Sequence, residues 1–331
     1  MRDGCLSIGL ILFACAMTVP PGQAQNLQTI KVSCLPSIPL PIVVAEKQGI
    51  FAKYGIAVQA KVDPNSVDLR KEISDGSADI AHSAVDNDVA LIEAAGADVV
   101  IVMGGEGSTN ELISQPDVRS IPALRGRTII VDAPDTAYAL QLKKILLLNG
   151  LKAGEDYQLK AVGSTPIRLQ AMRDNKGYSA SIMGTPTSIL AMHDGFASLG
   201  TTQKLIGPYQ AIGAYVQRSW ARANSPALEH YIAAYIEGQR WLLNPENKQQ
   251  VLELLMNQWH LSPPLAEQAY QSITGPGGYQ KDAGFDIEAF TNVLKLRAEV
   301  EGQWGGQVPK PDKYYDLSYY HAAISSLKGD R

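Results

Sequence analysis

The sequence has little of what disulfide-stabilised and zinc-binding proteins need. It contains only three cysteines, and Cys5 and Cys15 both fall within the first fifteen residues. This number excludes a disulfide scaffold and a cysteine-rich zinc module. The five histidines are widely scattered, and none has a histidine or cysteine partner at metal-ligand spacing. We therefore expect no metal site.

The common motifs of nucleotide binding and nucleophilic catalysis are also missing. No glycine is followed by lysine, which excludes a phosphate-binding P-loop. Residues 105–110 read GEGSTN and lack the third glycine of a dinucleotide loop. Residues 177–181 read GYSAS and fail at the last position of a nucleophile elbow. Together with the absence of a defensible acid/base pair of carboxylates, this indicates a protein that is not an enzyme and needs no cofactor.

The charge is nearly balanced. There are 29 Lys+Arg and 33 Asp+Glu, which gives a formal net charge of −4. A nucleic-acid partner is not expected, since it would need a basic face. The apolar fraction of 45% predicts a folded core, and 331 residues suggest about two domains of roughly 100–200 residues each.

The N-terminus has the layout of a secretory signal peptide over residues 1–24. Arg2 precedes an uncharged, mostly apolar run, two prolines break the run, and small residues lead up to Ala24. We expect cleavage after Ala24 and export of the mature chain. A membrane anchor is the first alternative, but the run is shorter than the ~20 residues a span requires. A lipoprotein processed at Cys15 is the second, although the bulky Phe13 fits that signal poorly.

The mature chain falls into three parts. Strands and helices alternate twice, which predicts mainly parallel sheets with right-handed crossovers. A helical region with Trp241 and Trp259 on its apolar faces follows. The predicted strands are 29–33, 56–62, 79–82, 99–103, 127–132, 157–162 and 179–183; the predicted helices are 42–51, 67–74, 87–95, 137–148, 167–173, 186–193, 226–243, 246–259, one from 262, and 286–301.

Several motifs in order resemble one family. Residues 44–56 read VAEKQGIFAKYGI and are similar to a segment of ABC-transporter substrate-binding proteins of the nitrate/sulfonate/taurine group, which is related to binders of thiamine-pyrimidine precursors. Residues 76–80 (GSADI), 124–129 (LRGRTI) and 244–246 (NPE) resemble later landmarks of that family. At 179–182 the family usually has an aspartate, and this chain does not.

The resemblance implies an α/β protein with the two-lobe, type II periplasmic-binding-protein (Venus-flytrap) fold. The first lobe would comprise residues 25–117 and the mostly helical 209–331, and the second lobe residues 118–208. The chain would cross between the lobes near 112–120 and 206–216. The implied function is capture of a small organic solute in the periplasm for an inner-membrane ABC permease, by a monomer that closes like a hinge.

Ligands of open α/β sheets lie beyond the carboxyl ends of the strands, which selects the loops after each strand. The candidate ligand-binding residues there are Ser37, Pro39, Ser83, Asp86, Asn110, Thr136, Tyr138, Thr165, Arg168 and Thr185. His82 also follows an apolar strand, but it fits a structural histidine better than a ligand.

The candidates leave the solute open. Helix N-termini and hydroxyls favour an anion, and Arg168 would face either an anionic ligand or an acidic partner in the other lobe. Asp86 would accept a hydrogen bond from an amine or amide, so a heteroaromatic or amino-bearing solute fits as well as a sulfonate or carboxylate. Thr136 and Asp86 also fit helix caps. Two other functions stay open: an enzyme of the same fold, related to thiamine-pyrimidine synthesis but without that family's cysteine-rich motif, and a receptor that presents its ligand to a membrane sensor.

Overall fold

The computed structural model describes residues 27–329. The predicted signal peptide, its cleavage after Ala24 and the alternative lipidation at Cys15 lie outside the described residues. None of the helices within residues 27–329 is both long and apolar enough to cross a membrane.

The first sheet has five strands, in the order β2-β1-β3-β10-β4. β1 pairs in parallel with β2 and β3, and β10 is antiparallel to both β3 and β4. The late strand β10 thus lies between two early ones. The bounds are β1 Gln28–Cys34, β2 Ile56–Val62, β3 Ile80–Ala84, β4 Val99–Glu106 and β10 Ile212–Gln217.

The second sheet also has five strands, in the order β7-β6-β8-β5-β9. β6 pairs in parallel with β7 and β8, while β5 is antiparallel to β8 and β9. The bounds are β5 Glu111–Ser114, β6 Thr128–Val131, β7 Gln158–Ala161, β8 Tyr178–Met183 and β9 Ala197–Thr201.

Helices cover both sheets, as parallel strands require. Those of the first sheet are α1 Leu40–Lys47, α2 Ile50–Lys53, α3 Ser66–Asp75 and α4 Asp86–Ala95; those of the second are α5 Ala137–Leu148, α6 Thr165–Asp174, α7 Thr187–His193 and α8 Thr202–Ile206. The C-terminal helices are α9 Arg218–Ala223, α10 Ser225–Leu243, α11 Lys248–Trp259, α12 Pro263–Thr274, α13 Ile287–Glu301 and α14 Ser318–Gly329.

The C-terminal helices complete the core of the first sheet. α10 buries Tyr231 and Tyr235 against apolar side chains of β1 and β3. Gly238 lets α10 approach α1 closely, because a Cβ there would lie 2.5 Å from the carbonyl oxygen of Pro41. Phe290 of α13 packs in a second cluster on the same sheet.

The chain passes between the sheets earlier than the predicted boundary at residue 117. Glu111 to Ser114 already pair with β8 and β9, so the first passage lies between Glu106 and Glu111 rather than at 112–120. The return lies between Thr201 and Ile212, which overlaps the predicted 206–216. By sheet membership, the first lobe holds β1–β4 and β10, and the second lobe holds β5–β9.

Candidate functional site

A cavity of about 340 Å³ lies between the two lobes. Its walls come from the carboxyl ends of strands in both sheets, from the passage between them and from the end of α11, as expected for an α/β ligand site. The first lobe contributes Pro36, Ser37, Glu106, Gln258, Trp259 and His260; the passage contributes Thr109 and Asn110; the second lobe contributes Tyr138, Thr165, Pro166, Leu169, Arg173, Gly184, Thr185, Pro186, Thr187 and Leu190.

Most of the predicted residues meet at this cavity or next to it. Pro39 lines a smaller cavity that shares Pro36, Ser37, Glu106, Thr109, Thr185 and Trp259 with the main one. Thr136 lines a third, which shares Pro36 and Tyr138. The residues that line the main cavity itself are Ser37, Asn110, Tyr138, Thr165 and Thr185.

The passage between the lobes is tied together by hydrogen bonds. The hydroxyls of Ser108 and Thr202 lie 2.7 Å apart, and the Thr202 N–H donates to the Asn110 carbonyl at 2.9 Å. The Asn110 side chain donates to Gln141 Oε1 at 3.2 Å. Both passages therefore meet at one place beside the cavity, which is the arrangement a hinge needs.

Arg168 does not line the cavity, contrary to the prediction from its place in the first turn of α6. Its side chain is fully buried. Nε donates to Ser181 Oγ at 2.9 Å, Nη1 to the Gly163 carbonyl at 2.7 Å, and Nη2 to Thr165 Oγ1 and the Ile182 carbonyl. Its guanidinium carbon lies 5.0 Å from the centroid of the Tyr138 ring. Arg168 therefore supports Tyr138 and Thr165 from behind.

Asp86 is likewise internal and is not the helix cap that the sequence suggested. It lies in the first turn of α4, whose N-cap is Val85. Both carboxylate oxygens of Asp86 face the Arg297 guanidinium, with Nη2 to Oδ2 at 3.0 Å. Arg297 comes from α13, 211 residues away. This buried ion pair neutralises Asp86, so Asp86 is not a group that faces a ligand.

The hydroxyls of Ser83 and Thr136 form hydrogen bonds with other protein groups, and neither residue lines the main cavity. Ser83 Oγ lies 2.9 Å from the Tyr215 hydroxyl and accepts from Asn87 Nδ2. Thr136 is the N-cap of α5, but its hydroxyl donates to Asp132 Oδ1 at 2.6 Å instead of accepting from the helix.

The sequence prediction missed Glu106, the last residue of β4. Glu106 lines both the main and the smaller cavity. Burial raises the pKa of its carboxyl to about 7. An acidic residue close behind the predicted buried strand 99–103 was the available signal, but it lies inside the glycine-rich segment that only resembles a nucleotide loop. Trp259, predicted as core, also lines the cavity.

Polar contacts hold the two lobes together around the cavity. Ser66 Oγ donates to Asp132 Oδ2 at 3.2 Å, and Arg70 pairs with Asp135 at 3.2 Å. On another side, the hydroxyls of Thr185 and Ser272 lie 2.7 Å apart. Glu299 and Glu301 of α13 pair with Lys144 and Lys143 of α5. The lobes are therefore in contact in this arrangement.

His82 is a buried histidine whose two ring nitrogens have no hydrogen-bond partner. Its ring stacks on Tyr235 with centroids 5.0 Å apart. Burial lowers the pKa of its imidazole to about 3, so the ring is neutral in the folded protein. Among residues 27–329, no three His, Cys, Asp or Glu side chains are grouped so that they could hold a metal ion.

We expect His82→Phe to remove a large part of the acid sensitivity of the fold. Below pH 6.5 the unfolded chain protonates His82 and the folded chain does not, so stability falls as pH drops from 6.5 towards 3. At about 1.36 kcal/mol per unit, the loss reaches about 2 kcal/mol at pH 5. Urea unfolding at pH 7 and pH 5 measures it. His193→Phe, at an exposed position, should keep the wild-type pH difference; an unchanged difference in His82→Phe would contradict the assignment.

A comparison with family models decides the classification. The model described as the NMT1-like family matches residues 23–256. The chain belongs to the NMT1-like family. A comparison with curated proteins found no match for this NMT1-like chain.

Solved structures share the fold of this NMT1-like protein. The periplasmic nitrate-binding protein NrtA from Synechocystis PCC 6803 is 16% identical, with a TM-score of 0.73 over 92% of this chain and 90% of that one. The alkanesulfonate-binding protein SsuA from Xanthomonas axonopodis pv. citri, bound to MOPS, is 16% identical, with a TM-score of 0.68 over 86% and 96%. The desulfurization enzyme DszB is 12% identical, with a TM-score of 0.61 over 91% and 99%. These similarities confirm the predicted two-lobe periplasmic-binding-protein fold.

Proposed function

We propose that this protein is the solute-binding component of an ABC importer, and that it captures a small organic solute between its lobes by hinge closure. The observation that carries the proposal is the cavity of about 340 Å³ with walls from both lobes and from the passage that joins them. A solute there contacts both lobes at once, so its binding favours the closed arrangement over the open one.

The other parts of the proposal follow from this role. The protein acts in the periplasm after cleavage at Ala24, works as a monomer and hands its solute to a permease in the inner membrane. Membership of the NMT1-like family and the fold of NrtA and SsuA support this assignment. DszB has the same fold and is an enzyme, so the fold alone does not decide between binding and catalysis.

A thermal-unfolding screen tests the proposal. The mature protein is mixed with nitrate, sulfonates, aromatic carboxylates, amino acids, amines and pyrimidines. A true ligand present at a hundred times its Kd should stabilise the fold by about 2.7 kcal/mol, because it binds only the folded state. Mass spectrometry then shows whether the ligand is recovered unchanged, as binding requires, or converted, as an enzyme would do.

A matched pair of variants ties the response to the cavity. Leu190→Trp places a large ring in a wall of the cavity. It should lower the apparent affinity for the ligand at least tenfold and so reduce the ligand-induced rise in melting temperature. The same substitution at Leu148, an exposed residue of α5, should leave the response unchanged. If no solute shifts the melting temperature, or if both variants respond like the wild type, solute capture at this cavity is disproved.

A further inference from the structure

We infer that the solute presents a nitrogen N–H donor, as an amine, amidine or amino-substituted ring, to the carboxylate of Glu106, and that the site disfavours simple anions. This inference rests on the proposed function and names its substrate class. The determining feature is the Glu106 carboxyl, which lies in the cavity wall and forms no ion pair among residues 27–329.

The backbone fixes the position of Glu106 from two sides. Glu106 pairs with Ile212 of β10, and it forms an isolated bridge with Tyr279. Its carbonyl accepts from Gln210 Nε2 at 3.2 Å. The carboxyl therefore projects from a rigid sheet end into the space between the lobes, where it lines two adjoining cavities. Within residues 27–329 it makes no ion pair.

The guanidinium groups of Arg168 and Arg173 already have hydrogen-bond partners in the protein. Arg168 is enclosed by hydrogen bonds to its own lobe and does not line the cavity. Arg173 lines the cavity, but it pairs with Asp194, with Nε to Oδ2 at 2.8 Å, and Nη1 donates to Gln170. An anion entering the cavity would therefore meet the Glu106 carboxyl and the Arg173 guanidinium, which already has partners. An N–H donor would instead supply the partner that the Glu106 carboxyl does not find among residues 27–329.

The remaining walls favour an apolar or aromatic body on the solute. Trp259, Leu169 and Leu190 line the cavity together with Tyr138, whose ring is held by Arg168. A volume of about 340 Å³ lies at the small end of the range of roughly 300–1,000 Å³ for small-molecule sites, which suits a small solute. One polar nitrogen end and one ring would fill such a site.

Because of the groups around Glu106, its protonation should control how solute binding depends on pH. The phenols that face it are Tyr138 of α5, Tyr235 of α10 and Tyr279, and burial raises the pKa of each hydroxyl, so they remain neutral donors. Arg173 and His260 also line the main cavity. The pKa of Glu106, raised to about 7, means that a permanent cation should bind more tightly as pH increases from 6 to 8.

Matched probes test the inference by calorimetry and thermal unfolding. Benzamidine, benzylamine and 2-aminopyridine supply the nitrogen donors; benzoate, benzenesulfonate and nitrate are the anions. We expect at least one nitrogen probe to bind and the anions to bind at least tenfold more weakly. E106Q should weaken binding of the nitrogen probe by about 10- to 100-fold, as expected for the loss of a charge-assisted hydrogen bond. E155Q, at an exposed position, should bind like the wild type.

Affinities measured at pH 6 and pH 8 distinguish the effect of Glu106 from that of His260. The rise in benzamidine or benzylamine affinity from pH 6 to 8 should vanish in E106Q and persist in H260Q. If an anion binds and its binding is lost in Leu190→Trp but kept in E106Q, the inference about Glu106 is wrong and solute capture stands. If E106Q binds the nitrogen probe as tightly as the wild type, the inference also fails. If no probe and no solute of the wider screen binds, the proposed function and the inference fail together.

Discussion

Asp86→Asn is expected to lower the free energy of unfolding by about 3–5 kcal/mol, the usual cost of breaking a buried ion pair by removing one charge. The side chains of Asp86 and Arg297 are 0% and 6% exposed. The variant leaves the Arg297 guanidinium in the interior without its carboxylate. Arg297 also donates to the main-chain carbonyl of Asp135 in the second lobe at 3.1 Å and to the Gln303 amide, both uncharged groups. The Asp135 carboxylate pairs with Arg70 instead. Urea unfolding at neutral pH measures the loss.

Two controls separate the buried charge from the general loss of a contact. The double variant Asp86→Leu/Arg297→Met removes both charges and keeps apolar volume, so it should recover most of the stability that the single variant loses. The exposed pair Lys71–Asp75 lies on one face of α3, and Lys71→Ala should leave the unfolding midpoint unchanged. A double variant as unstable as Asp86→Asn would show that the loss does not come from the unpaired guanidinium.

Gly104→Ala is expected to have the second large effect, a loss of about 3 kcal/mol or more through overpacking of backbone against backbone. A Cβ at Gly104 would lie 1.9 Å from the carbonyl oxygen and 2.6 Å from the carbonyl carbon of Gly284. Neither atom belongs to a flexible side chain, so either β4 or the segment before α13 must move. Glu106 lies two residues further along β4, so the displacement should also weaken the response to a nitrogen probe.

Gly105→Ala is the matched control for that strand. Its added Cβ would have its nearest neighbour, the carbonyl oxygen of Ile212, at 3.3 Å, which a small adjustment accommodates. We expect a loss of less than about 1 kcal/mol, within the common range for single substitutions. Chemical unfolding of both variants gives the comparison. Equal losses in the two variants would contradict the assignment of the effect to the contact with Gly284.

The sequence predicted those elements whose signals are local. The helix over 137–148 and the strand over 56–62 have the bounds that periodicity, caps and turn residues indicated. Strands β5, β9 and β10 were not predicted. β5 has only four residues, and β10 reads IGAYVQ, with a glycine and no polar alternation because its interior is buried on both faces. Their pairing partners are distant in sequence, so no short window contains the evidence for them.

The candidate site could be predicted only for those residues that lie in loops beyond the carboxyl ends of strands. Ser37, Asn110, Tyr138, Thr165 and Thr185 follow strands and do line the cavity. The sequence gives no sign that Asp86 meets an arginine 211 residues away, or that Arg168 turns inward to carbonyls of its own lobe. Asp86 was assigned to the ligand because it follows a strand, and Arg168 because a cation in the first turn of a helix opposes the helix dipole. Glu106, which forms no ion pair among residues 27–329, was not selected.

The position of β10 has a consequence for how the chain assembles. β10 lies between β3 and β4, yet about a hundred residues separate it from β4 in sequence, and all of β5–β9 lie in between. As the chain is synthesised from its N-terminus, all five strands of the second sheet have emerged before β10, the fifth strand of the first sheet. Closing that long loop is entropically slow, so the second lobe should complete first and the first lobe should stay open, with two unpaired strand edges, until Gln217 has emerged.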